Sequence, residues 1–103
     1  MSHDGHVIEG AGGSIRISGE ALTGLVVAAA EQIGDVRIRR PRRDLDLVVK
    51  DGRAQVTLVL AARYGAVLPV LGAAVQTSVA DALRASTGLD VDGVDVAIEE
   101  LDL

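Results

Sequence analysis

Leu45-Asp46-Leu47-Val48-Val49-Lys50-Asp51-Gly52-Arg53-Ala54-Gln55-Val56-Thr57-Leu58-Val59-Leu60-Ala61-Ala62 can scarcely be read as anything but two strands and a turn. The first six residues alternate apolar and polar up to Val48, the period of a strand with one buried face. Asp51-Gly52 is the strongest short-range hairpin signal, because a two-residue turn there needs positive φ. Val56 to Ala62 is almost continuously apolar, which predicts a returning strand with neighbours on both sides.

Upstream of this hairpin, Ser14-Ile15-Arg16-Ile17 and Val36-Arg37-Ile38-Arg39 alternate apolar and polar residues and predict two short strands. Between them, Leu22, Leu25, Val26, Ala29 and Ile33 recur with helical spacing. Ser18 stands at the N-cap, Glu20 lies in the first turn, and Gly34 closes the segment. Pro41 removes a backbone donor and leaves Arg40 to Arg43 as an exposed turn. After Tyr64-Gly65 a second helix follows, with Pro69 in its first turn and Leu68, Leu71, Val75, Val79, Ala82 and Leu83 as its buried stripe. Thr87-Gly88 ends it. Val94, Val96 and Ile98 then share one face of a final strand, whose phase slips beyond Ile98 and signals a bulge, a bend or the strand's end. The order β-α-β-β-β-α-β predicts an α+β, two-layer sandwich, with two helices on one face of a mainly antiparallel sheet. Residues 1–12, polar and glycine-rich, are expected to form a disordered leader before a single domain spanning 13–103.

Composition narrows the chemistry. The chain has 103 residues, no cysteine, phenylalanine or tryptophan, and one tyrosine. Disulfide frameworks, thiolate metal sites and cysteine nucleophiles are excluded. The core must be aliphatic, and such side chains each bury less area than aromatics do. The longest apolar runs, Leu25–Ala30 and Leu58–Ala62, are far below the ~20 residues that span a bilayer. Met1 to His6 has neither the basic flank nor the apolar run of a signal peptide, so a cytosolic chain is expected. His3 and His6 lie in the leader without further ligands. Gly10-Ala11-Gly12-Gly13 precedes a strand, whereas a phosphate cradle follows one and opens a helix. No catalytic residue, metal site or cofactor is expected.

Charge is polarised within a net −5. Arg37, Arg39, Arg40, Arg42 and Arg43 hold half of all positive charge, while Asp90, Asp92, Asp95, Glu99, Glu100 and Asp102 run to the C-terminus without a base. Such asymmetry speaks of association, not of fold. The arginine cluster could meet anionic lipid or nucleic acid, but the acidic body and single aromatic argue against nucleic acid. Val27, Ala28 and Ala30 lie largely outside the first helix's stripe, leaving a face that small side chains tolerate in water or that a partner covers. The candidate partner-binding residues are therefore Val27, Ala28 and Glu31 on the first helix, with Arg40, Arg42 and Arg43 opposed to Glu99 and Glu100 of another copy.

Several of these segments, in their order and spacing, resemble the bacterial alkaline-shock, or envelope-stress-response, protein family of Gram-positive organisms. They are Ile15-Arg16-Ile17-Ser18 before an Ala-rich helix, Arg63-Tyr64-Gly65, Val75-Gln76 with Val79, Thr87-Gly88-Leu89 and Val94-Asp95-Val96. The resemblance covers roughly residues 13–98; Gly34-Asp35-Val36 departs from the family's usual Pro-Gly-Val or Gly-Val step. It implies a non-enzymatic, self-assembling adaptor in envelope homeostasis, recruited to the inner face of the cell membrane by a small integral-membrane partner. It also implies that the matching residues determine the fold. Tyr64-Gly65 would make the strand-to-helix corner, where glycine permits angles other residues avoid. Gln76 would be either a bridge to the sheet or an exposed contact. The alternative reading is a module that binds anionic lipid or nucleic acid through Arg37–Arg43.

Overall fold

In the computed structural model, which describes residues 5–102, the chain runs β1 (His6–Gly10), β2 (Gly13–Ile17), α1 (Gly19–Glu31), β3 (Val36–Arg37), α2 (Pro41–Asp44), β4 (Leu45–Lys50), β5 (Arg53–Arg63), α3 (Leu68–Thr87) and β6 (Asp90–Asp102). The α+β class and the mainly antiparallel pairing stand as expected from the sequence. β4 and β5 form the hairpin, Leu45 opposite Leu58 and Lys50 opposite Arg53. The turn is set by positive φ at Asp51 (54°) and Gly52 (75°).

β5 is the central strand. Antiparallel β3 pairs with its C-terminal end (Val36 opposite Ala62) and β4 with its N-terminal part, so the two lie end to end along one edge. Parallel β6 runs along the other edge from Arg53–Asp90 to Arg63–Asp102. That parallel pair requires a crossover, and α3 is the crossover. Even-numbered residues of β5 face the helices: Ala54, Val56, Leu58, Leu60 and Ala62 are all at most 1% exposed. They join Leu22, Val26, Ala29 and Ala30 of α1 and Leu71, Val75, Val79 and Leu83 of α3 in one aliphatic core. The helices are tied to each other by the Ser78 hydroxyl, which donates to the Ala29 carbonyl at 2.7 Å.

The caps follow the sequence closely. Ser18 Oγ accepts from the Ala21 amide at 3.0 Å, and Gly88 ends α3 in the left-handed conformation (φ 74°). Thr87 turns inward instead of merely marking the end: its hydroxyl donates to Leu83 O and accepts from the Leu89 amide. Pro69 sits in the first turn of α3.

Three expectations need correction. The disordered leader is replaced, over its described part, by β1, which pairs in register with β2 from His6–Ile17 to Gly10–Gly13. Residues 1–4, with His3, lie outside the described residues, as does Leu103. The reading of 1–12 failed because Ala11-Gly12 supplies a tight turn, and His6-Val7-Ile8-Glu9-Gly10, with two adjacent apolar residues, shows no period of two. The turn over Arg40–Arg43 is a short helix, started by Pro41, whose fixed φ suits a first helical position. Ala30, placed outside the stripe of α1, is fully buried, while Leu25 and Ile33 are half-buried.

Leu58 lies at the middle of β5 with no solvent exposure. Leu58→Ala removes its share of the core and leaves a cavity. We expect a loss of about 2–5 kcal/mol in chemical denaturation, at the upper end if the aliphatic neighbours cannot collapse inward.

Candidate functional site

The sequence-derived contact residues do not form one surface. On α1, Ala28 is exposed, but Val27 is half-buried and packs against the core. Glu31 is committed within the chain: its Oε2 accepts the Ile38 amide at 3.0 Å, fixing the segment that follows β3. The face reserved for a partner is therefore narrower than the helical spacing implied, and its acidic member serves the fold.

Glu100 is engaged within its own copy, and by Arg39, not by Arg40, Arg42 or Arg43. Arg39 Nε lies 3.0 Å from Glu100 Oε1. Since β3 and β6 flank β5 on opposite edges and Arg37 and Glu100 both align with Ala61, this ion pair reaches across the outer face of β5. Arg40 pairs with Asp44 one helical turn away, at 3.6 Å. Arg42 and Arg43 are exposed and make no ion pair among the described residues. Glu99 is the extra residue of a β-bulge between the Leu60–Ile98 and Ala61–Glu100 pairs, the phase slip seen in the sequence. A second irregularity sets Asp92 between Val91 and Gly93, where the Arg53 Nε donates to Asp92 Oδ1 at 2.8 Å. That hydrogen bond, with the Asp92 charge behind it, holds the Arg53 guanidinium above its ordinary pKa.

Gln76 resolves in favour of the bridge. Its Nε2 donates to the Val94 carbonyl at 2.9 Å, so α3 satisfies an acceptor on β6, an edge strand. A shallow cleft of about 340 Å³ lies beside this bond, lined by Gln76, Ala80, Arg84, Gly93 and Val94 among others. A second, of about 310 Å³, lies near the β3 end of the sheet between Asp35, Arg37 and Arg63. Both are open to solvent. No group of three or more potential metal ligands occurs among the described residues. No helix there is long and apolar enough to cross a membrane.

With this geometry in view, comparison with known proteins gives one informative result. The chain shares a fold with MamM-CTD. A solved structure of a doubly substituted MamM-CTD superposes with a TM-score of 0.57, covering 82% of this chain and 95% of the other at 16% identity. At that identity the likeness to MamM-CTD extends to the fold alone. No protein-family model and no curated protein matches the chain.

Two apolar features escaped sequence reasoning. Tyr64, Val67 and Val70, at the corner from β5 into α3, are 63%, 66% and 67% exposed. The corner itself is made as expected, with Gly65 at φ 95°. The signal that could have found the patch was present: Tyr64 is the lone aromatic, and Val67 and Val70 lie off the stripe of Leu68, Leu71 and Val75. The other feature is the β1–β2 hairpin, whose Val7 and Ile15 are 43% and 62% exposed.

Replacing Gln76 by alanine leaves the Val94 carbonyl without its protein donor. Because that carbonyl lies at a part-buried edge which water can reach, we expect a loss of about 1 kcal/mol in denaturant unfolding. An unchanged midpoint would show the bond to be dispensable.

Proposed function

We propose that this chain is a non-enzymatic adaptor of cell-envelope homeostasis, held at the inner face of the membrane by a membrane-protein partner and able to assemble with itself. The observation that carries this reading is the division of labour among the residues. Those behind the family resemblance are occupied in holding the fold: Ser18 caps α1, Gly65 turns the corner, Gln76 bridges to β6, and Thr87 and Gly88 close α3. The large apolar side chains left over point outward instead. Tyr64, Val67 and Val70 form the best partner-docking patch, since an exposed aromatic among aliphatics is the composition of an interface anchor. Arg63, ion-paired with Asp35 at 3.7 Å, stands beside them and supplies a polar rim. The fold shared with MamM-CTD is compatible with this reading and does not carry it.

The alternative, direct contact with anionic lipid, draws on Arg42 and Arg43, which are exposed and without ion-pair partners among the described residues. Two basic groups near such a surface supply only about 2 kcal/mol, and an acidic body opposes them. Recruitment by a protein is the stronger reading.

The two separate in a membrane-binding experiment. We expect the chain to co-sediment with membranes from its own cells, to be lost when those membranes are stripped with protease, and to ignore protein-free acidic vesicles at physiological salt. Tyr64→Ala should lower retention at least tenfold while shifting stability by less than about 0.5 kcal/mol, as exposed sites do. Equal binding to protein-free vesicles would overturn recruitment by a partner, and loss of that binding in Arg42→Glu/Arg43→Glu would assign it to lipid.

A further inference from the structure

The β1–β2 hairpin is a sheet of two strands, and no third strand among the described residues joins it. Its root is fixed: a Cβ on Gly5 would collide with the Ile17 carbonyl oxygen, and Ile17 packs on the core. Beyond the root, its side chains divide cleanly. Pairing of Ile8 with Ile15 and His6 with Ile17 gathers the three isoleucines and His6 on one face; pairing of Val7 with Arg16 and Glu9 with Ser14 puts both charges, with Val7, on the other. A lone two-stranded hairpin is marginally stable in water, and further strands or a packed layer are what stabilise it.

The free backbone groups can be located. Gly10 and Gly13 close a two-residue turn, so they occupy a hydrogen-bonded position, and alternation makes Ile8–Ile15 and His6–Ile17 hydrogen-bonded as well. The amides and carbonyls of Ser14 and Arg16 therefore point away from β1, along an edge of β2 that carries no other strand.

We propose that a second copy of this chain occupies that edge, β2 against β2, antiparallel about a twofold axis at Ile15. This deepens the reading of the chain as an interaction module and rests on it. Three observations favour a second copy. First, the register is self-complementary: Ser14 falls opposite Arg16 of the other copy twice over, so all four outward-pointing backbone groups of each copy find partners. Second, Ile15, the most exposed apolar residue of the hairpin, meets its own counterpart at a non-hydrogen-bonded position, where side chains approach closest. Ile17 falls opposite Gly13, large against small. Third, Glu9 and Arg16 have no ion-pair partner within the chain among the described residues. In the four-stranded sheet, Glu9 of one copy and Arg16 of the other lie on the same face with only the small Ser14 between them, about 10 Å apart at the backbone, so long unlike side chains face each other over it. A five-residue strand pair buries less than the ~1,000 Å² of a stable interface, so the association is weak and concentration-dependent.

The absence of cysteine makes the test clean. In the full chain, Ile15→Cys should form a disulfide-linked dimer under mild oxidation at least tenfold faster than Ala28→Cys or Val7→Cys, both at exposed sites elsewhere. Adding Arg16→Glu should slow that crosslinking several-fold, and adding Glu9→Arg as well should restore it, with the denaturation midpoint of the isolated chain unchanged by either step, since Glu9 and Arg16 are also diagonal neighbours within one hairpin. Crosslinking of Ile15→Cys no faster than of Ala28→Cys overturns the proposal, as does failure of the charge swap to restore the rate. If the unmodified chain nevertheless shows salt-sensitive, concentration-dependent sedimentation, the seam lies elsewhere and the interaction reading survives. Strictly monomeric behaviour together with loss of membrane recruitment ends both.

Discussion

The pairing of β5 on both edges is the constraint from which the remaining architecture follows. Every residue of its inner row is an alanine, valine or leucine sealed from water, and α1 and α3 reach the sheet through that row. With no aromatic ring in the core, area must come from many small contacts, and the stability of the whole depends on their continuity. Polar groups are fitted in only where they close a backbone gap, as Ser78 does between the helices and Thr87 does at the end of α3. No buried side-chain nitrogen or oxygen among the described residues lacks a partner.

Much of this was legible because the signals were local. Ser18, Asp51-Gly52, Pro69 and Gly88 each impose a backbone requirement that depends on nearest neighbours, and each acts where expected. The bulge at Glu99 was visible as a change of parity. What escaped depended on pairing across distance. Residues 6–10 look like a leader until β2 is placed beside them, and Ala30 looks exposed until α3 arrives. Glu31 looks available until the Ile38 amide is found against it. The parallel alignment of β6 on β5 also has no signature in either strand, since it follows from the crossover between them.

The exposed apolar patches were the hardest to read, for a related reason. Charge runs stand out in a sequence, yet Arg39, Arg40 and Glu100 are engaged within the chain. The large apolar residues left exposed, Tyr64, Val67, Val70, Val7, Ile15, Val48 and Leu101, are scattered among ordinary core-like stretches, and only burial separates them from their neighbours. In an aliphatic protein, exposed apolar residues look in sequence like buried ones.

The placement of β6 also bears on how the chain comes to be folded. β4 and β5 adjoin across two residues and can zip as soon as both exist, whereas β5 meets β6 only after the whole of α3 has been laid between them. During synthesis on a ribosome, the nascent sheet therefore presents one unpaired edge, beside the apolar inner face that α3 will cover, until the crossover emerges. That interval is when a chaperone would have most to grip.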